Sequence, residues 1–250
     1  MLSDTTHSVR PISASPSLIE RERTRQFPAV TPHRKPTSAQ IQEAQRVWML
    51  QEQCRRLCLT LFAHRPPAIR SLGLLSSVAG EGTSFLAILL ARVLAHDSDE
   101  QVTLLECNWD HPTAQETLGL PAPWGLAEWL RGECEVEAVR YRLSENLVVI
   151  PAGRGKQDAG LLTRRLYQRG VSNLFGPRSL LILDLPPVLS CGYGELAARL
   201  AEAVLLVVRA GQTPASLVAE TCARLEQVPL RGIVLNRQVS RIPRWLQQLL

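Results

Sequence analysis

Six short β-rich runs alternate with helix-like stretches along most of this chain, and that rhythm constrains the fold more than any other feature. The runs lie near Ile69–Ser76, Gln101–Glu106, Asn146–Pro151, Ser179–Leu185, Ala203–Arg209 and Leu230–Asn236. Helical stretches begin near Thr83, Thr113, Pro123, Asp158, Gly194 and Pro214. Strands separated by helices cannot pair as hairpins. They line up in parallel and bury both faces under helices, so the expected fold class is α/β, a mainly parallel twisted sheet with helices on both faces. One further helix precedes it. From Ser38 to Ala63 the apolar residues Ile41, Ala44, Val47, Trp48, Leu57, Leu61 and Phe62 recur at helical spacing and stop before Pro66 and Pro67. Trp48, Leu57 and Leu61 are expected to pack on the chain's own sheet.

The two ends have a different composition. Five prolines among many Ser, Thr and Arg residues before Ser38 cannot build a core, so residues 1–37 read as a flexible basic arm. Residues 239–250 read as a short basic amphipathic tail. The net charge of +5 sits at these ends: residues 1–38 hold six basic and three acidic groups, residues 239–250 hold two basic groups, and the body between is neutral. A nucleic-acid reader carries a basic stripe on its folded face, so no nucleic-acid partner is expected. No apolar run reaches the ~20 residues of a membrane helix, and polar residues occupy the place of a signal peptide's apolar stretch. A cytoplasmic chain is the expectation. The six cysteines form no CxxC pair; Cys54 and Cys58 lie one turn apart with no further ligands nearby, which favours core packing over metal.

In an open parallel sheet, ligands bind beyond the carboxyl ends of the strands. The first such loop reads Ser77-Val78-Ala79-Gly80-Glu81-Gly82-Thr83-Ser84, between an apolar strand and an apolar helix. Gly80 and Gly82 permit backbone angles that bring amide groups up to an anion at a helix N-terminus. Ser84 stands where a phosphate-binding loop keeps the hydroxyl that holds magnesium, while Thr83 stands where that loop keeps its lysine.

From this point the chain resembles the bacterial tyrosine kinases of capsule and exopolysaccharide assembly, within the deviant Walker A P-loop ATPases. The resemblance covers residues 44–238 and rests on six motifs in order. Gly80-Glu81-Gly82-Thr83-Ser84 is similar to the family's GEGKS loop apart from the lysine. Leu104 to Pro112 is similar to its second acidic motif, with Glu106 and Asn108 in place of two aspartates. Asn146 to Gly153 resembles a segment ending in LPAG, and Leu181 to Pro187 resembles the Walker B strand with its DxPP turn. Val207 to Thr213 and Gly232 to Arg237 resemble the family's VVRAGxT and GVVLNR stretches. The resemblance implies a P-loop NTPase-type domain over residues 38–238, with ATP or ADP and Mg2+ as ligands. It further implies cofactor contacts from Gly80, Glu81, Gly82, Thr83, Ser84, Asn236 and Arg237, metal contacts from Ser84 and Asp184, and catalytic carboxylates at Asp184 and Glu106. A structural role for Glu106, satisfied by local amides, stands equally open.

The departures fall on chemistry. Phosphoryl transfer depends on positioning and charge stabilisation; threonine is neutral where the lysine would be charged, and Asn108 cannot take a proton. Both nucleotide and Mg2+ binding are expected to be weakened. Active members carry a tyrosine-rich tail, whereas Tyr141, Tyr167 and Tyr193 are isolated and lie before the tail. The family's ring-forming ExxRxxR helix survives only as Glu52 and Arg55, with Cys58 in the last place, which leaves a reduced basis for a homo-oligomer. Arg154 and Lys156, after the third strand, are candidates to replace the missing cation. The favoured function is a catalytically impaired, nucleotide-sensing regulator of exopolysaccharide or capsule synthesis and export. Its expected partner is a membrane chain-length or export protein that would hold it at the inner face of the membrane. An active ATPase or tyrosine autokinase with a remodelled site, and a partition-type positioning ATPase, are the alternatives.

Overall fold

The computed structural model describes residues 37–62, 69–176 and 178–238. The chain divides into a unit over residues 1–43, of which only the first turns of a helix are described, and a unit over residues 44–250. The expected tail, and all but the last residue of the expected arm, lie outside the described residues.

Helix α1 (Ser38–Phe62) crosses that division. Beyond Ala44, one of its faces is apolar: Cys54 and Cys58 are buried, and Leu57, Leu61 and Phe62 pack partly against the same core. Burial pushes the Cys54 thiol up to about 11 and the Cys58 thiol up to about 12, which leaves both neutral and unreactive at ordinary pH. Trp48 corrects the expectation from spacing, because its side chain is 62% exposed. At 100° per residue it lies about 120° around the helix from Cys54, off the buried face.

The sheet comprises β1 (Ser71–Ser76), β2 (Val102–Glu106), β3 (Tyr141–Arg142), β4 (Leu147–Ile150), β5 (Leu180–Asp184), β6 (Ala203–Arg209) and β7 (Leu230–Asn236). Their order is β3-β4-β2-β5-β1-β6-β7, with every neighbouring pair parallel except β3 on β4. The central strands are buried along their whole length, as a sheet covered on both faces requires. Leu72, Leu74, Leu104 and Ile182 face one layer, which holds helix α2 (Thr83–Asp97) and the inner face of α1. Leu75, Leu105, Leu181 and Leu183 face the other. That second layer holds α4 (Leu126–Arg131), α5 (Ala159–Arg169) and α6 (Gly194–Ala198). Short α3 (Ala114–Leu118) follows β2, and α7 (Ala215–Arg224) leads to β7.

Strand β1 is the pivot of this topology. The chain leaves it for β2 on one side, and the later strands β6 and β7 fill the other. The point where the winding changes direction leaves a crevice outside the carboxyl ends of the strands. The loop after β1 opens into that crevice, between the ends of β5 and β6.

Candidate functional site

The loop after β1 owes its shape to two glycines and one buried carboxylate. Gly80 has φ 86° and Gly82 has φ 91°, a region that an L side chain adopts only with strain. Gly82 is also a close approach, since a Cβ there would lie 2.3 Å from Asn236 Nδ2. It caps α2 without any side-chain hydrogen bond. The first amides of a 15-residue helix therefore point out of the loop with no carbonyl one turn earlier to receive them, and the helix dipole favours an anion there.

Glu81 turns the other way. Its carboxylate is 2% exposed and accepts the amides of Ser77 at 2.7 Å, Val78 at 3.1 Å and Arg209 at 3.2 Å, together with the Thr213 hydroxyl. Glu81 thus ties the loop to the end of β6 and the turn after it. Its side chain braces the site, and only its backbone remains for a ligand. Asn236, at the end of β7, completes the brace by donating from Nδ2 to the Glu81 carbonyl at 2.8 Å.

Ser84 and Asp184, the two residues named above as metal contacts, lie together beneath the loop. The Ser84 hydroxyl lies beside the Asp184 carboxylate. Asp184 is 3% exposed, and its Oδ1 has no partner among the described residues. Burial pushes its carboxyl up to about 8 from an ordinary 3.8; the neighbouring Ser84 hydroxyl opposes that shift and the negative Glu106 adds a smaller push in the same direction. A hydroxyl beside an unsatisfied buried carboxylate is an oxygen donor set of the kind that Mg2+ takes.

Thr83 lies at the same spot, 8% exposed, with its Oγ1 also lacking a partner among the described residues. Thr83, Gly80, Gly82 and Ser84 line a cavity of about 210 Å3 together with Asn108, His111, Thr113 and Arg237. The Thr113 hydroxyl is the third unpartnered buried oxygen in this neighbourhood. Spacing gave no sign of His111 or Thr113. They arrive because β2 ends at the same sheet edge, with Glu106 in register with Asp184.

Glu106 itself faces elsewhere. Its Oε1 accepts the amides of Thr113 at 2.5 Å and Ala114 at 2.7 Å, and its Oε2 accepts the Ala152 amide at 3.0 Å. Those three bonds fix the start of α3 and the end of β4, the structural role left open above. Asn108 accepts the His111 amide at 3.4 Å through Oδ1.

Neither Arg154 nor Lys156 lines the cavity at the loop. Arg154 instead lies 3.3 Å from buried Glu128, and Glu128 also accepts the amides of Gly125 and Arg154. The three tyrosines are dispersed: Tyr141 donates to the Trp124 carbonyl, Tyr193 donates to Asp110, and Tyr167 is exposed. Arg55 is engaged within the chain, 2.9 Å from Glu52 and 2.6 Å from Asp97. No helix among the described residues is long and apolar enough to cross a membrane.

The parallel sheet, the glycine loop at its switch point and the serine–aspartate pair beneath it define a P-loop ATPase type of fold. No family model matches the chain. It is 27% identical over 179 residues to the succinoglycan biosynthesis transport protein ExoP of Rhizobium meliloti (strain 1021), a match that covers 67% of this chain and 22% of that protein. The chain therefore spans about a fifth of the curated relative that it matches. Among solved structures it is similar to the kinase domain of the Escherichia coli tyrosine kinase ETK, with 26% identity, a TM-score of 0.64 and 69% of each chain covered. The VpsO kinase domain, at 23% identity, shares the fold, with a TM-score of 0.68 over 80% of this chain and 99% of that one. The chain is thus similar in sequence and fold to bacterial tyrosine kinase domains, and its fold is of the P-loop ATPase type.

Proposed function

We propose that this chain is a nucleotide-binding regulator built on the kinase fold, with little or no turnover of its own. The observation that supports the reading is the pairing of an intact cradle with a neutral side chain at its centre. Gly80, Gly82 and the N-terminus of α2 keep the anion site, Ser84 and Asp184 keep an oxygen pair for Mg2+, and Thr83 occupies the place of the charge that would steady phosphoryl transfer. The unpartnered oxygens of Thr83, Thr113 and Asp184 fit a ligand that brings its own donors and metal. Ser84 and Asp184 would hold Mg2+, which when bound would supply positive charge against the phosphates.

In this reading the chain's own residues bind and orient. Glu81 and Asn236 hold the loop in its open-amide form, the helix N-terminus would receive the phosphates, and the Asp184 carboxylate would face a bound cation. Asn108 cannot act as a base, and the other nearby carboxylate, Glu106, is saturated by amides.

The likeness to ExoP supports a place in exopolysaccharide or capsule synthesis and export. There the chain would bind a membrane chain-length or export protein at the inner face of the membrane and report nucleotide state to it. A homo-oligomer through α1 would use Glu52 and Arg55. A second reading, an active ATPase or autokinase with a remodelled site, takes its support from the retained Ser84–Asp184 pair.

Hydrolysis and autophosphorylation measured on the wild type beside a Thr83→Lys variant separate the two. Restoring one charge in a preorganised phosphate site changes turnover by about a hundredfold or more. The regulator reading expects the wild type to be slower than the variant by that margin, and comparable rates would overturn it.

A further inference from the structure

The lysine position is neutral, yet the cavity is not without a cation. We propose that Arg237 supplies from the end of β7 the positive charge that the loop lacks, and that it meets the phosphate chain of a bound nucleoside polyphosphate. The proposal rests on the nucleotide reading above and assigns one residue a definite task within it.

Four observations lead to Arg237. It is the one Arg or Lys among the residues that line the loop cavity, and no carboxylate is among them. Its place is fixed through its neighbour: Asn236 donates to the Glu81 carbonyl at 2.8 Å and accepts the Arg237 amide at 2.9 Å through Oδ1. Residue 237 is thereby latched to the loop by backbone and neighbour, and its side chain takes no part in the latch. Next, Arg237 has φ 55°, the one positive φ at a non-glycine among the described residues. Arginine is held there in a conformation that favours glycine or asparagine, and such strain clusters at ligand clamps.

The fourth observation is the side chain's freedom. Arg154, Arg131, Arg55 and Arg224 all meet carboxylates, whereas the Arg237 guanidinium has no hydrogen bond or ion pair among the described residues. A planar guanidinium with several donors suits phosphate oxygens. Arg237 reaches the cavity from the β7 end, outside the loop, so its role is to hold the bound phosphates. A charge that grips the resting ligand as firmly as its transition state deepens binding without hastening turnover, which is consistent with a sensor that lacks the loop lysine.

The test uses the full chain with Mg2+ and measures ATP and inorganic tripolyphosphate by competition against a fluorescent ATP analogue. Arg237→Gln should weaken both by about tenfold or more, with the melting temperature of the ligand-free protein unchanged. Arg237→Lys should bind both ligands more tightly than Arg237→Gln and less tightly than the wild type, since it keeps the charge and loses the guanidinium's paired donors. Thr83→Lys added to Arg237→Gln should restore the lost affinity. If Arg237→Gln binds both ligands like the wild type, or loses ATP while keeping tripolyphosphate, the proposal is overturned and Arg237 serves the base or nothing. A wild type that binds neither ligand overturns the nucleotide reading itself, and this proposal with it.

Discussion

Replacing Glu81 by glutamine should cost the protein about 2–6 kcal/mol of stability, although the side chain changes by one atom. The carboxylate accepts three amides and one hydroxyl in a site that is 2% exposed. Ser77 and Val78 share Oε2, and Arg209 and Thr213 share Oε1. Glutamine has one oxygen, so whichever way it turns, its NH2 group faces two donors. Each buried donor left without an acceptor costs about 1–3 kcal/mol, which sets the range and makes it a large share of the ~5–15 kcal/mol that holds a domain together. Thr213→Val removes a single donor and leaves the other three bonds intact, so about 1 kcal/mol is expected. Urea unfolding of the wild type, both single variants and the double variant gives the coupling between the pair. A Glu81→Gln variant within about 0.5 kcal/mol of the wild type would refute the brace, and with it the claim that Glu81 ties the loop to β6.

Asp184 makes stability depend on pH. Its carboxyl has an ordinary value of 3.8 and is pushed up to about 8, chiefly by burial. As pH rises through that window the unfolded chain releases the proton while the native chain keeps it, so stability falls, by at most about 1.4 kcal/mol per unit. Below the window both states are protonated and the effect vanishes. Asp184→Asn in a metal-free buffer should melt progressively higher than the wild type as pH rises toward 8, and parallel pH profiles would refute the shift. Glu106→Gln should destabilise by about 2 kcal/mol through its lost amide partners while Mg2+-dependent ATP affinity, read by calorimetry, stays unchanged; a selective loss of the Mg2+ dependence would give Glu106 a metal role.

The order of elements was legible because a parallel sheet buried on both faces leaves apolar strands and helices with little ambiguity. β6 and β7 begin and end where the residues placed them, and α2 begins at Thr83 as expected. The strand Tyr141–Arg142 was missed, because two residues have no period to read. The meeting of Ser84 and Asp184 followed from the motif order, but the direction of Glu81 did not. Its partners Arg209 and Thr213 lie 128 and 132 residues away, and local sequence does not say which way a side chain turns within a tight loop. That Arg154 and Lys156 do not line the loop cavity was hidden for a similar reason. Arg154 and Lys156 follow a strand whose end lies across β2 and β5 from the loop, whereas β7 brings Arg237 to it through Asn236.

Calorimetric titration of the wild-type chain with ATP in the presence and absence of Mg2+ tests the account most directly. Binding of one ATP per chain, tightened by Mg2+, with no ADP formed over the course of the titration, is the expected result. No heat and no protection of residues 77–85 from hydrogen exchange at millimolar nucleotide would contradict it, and the loop would then be a scaffold that keeps the shape of a phosphate site without its use.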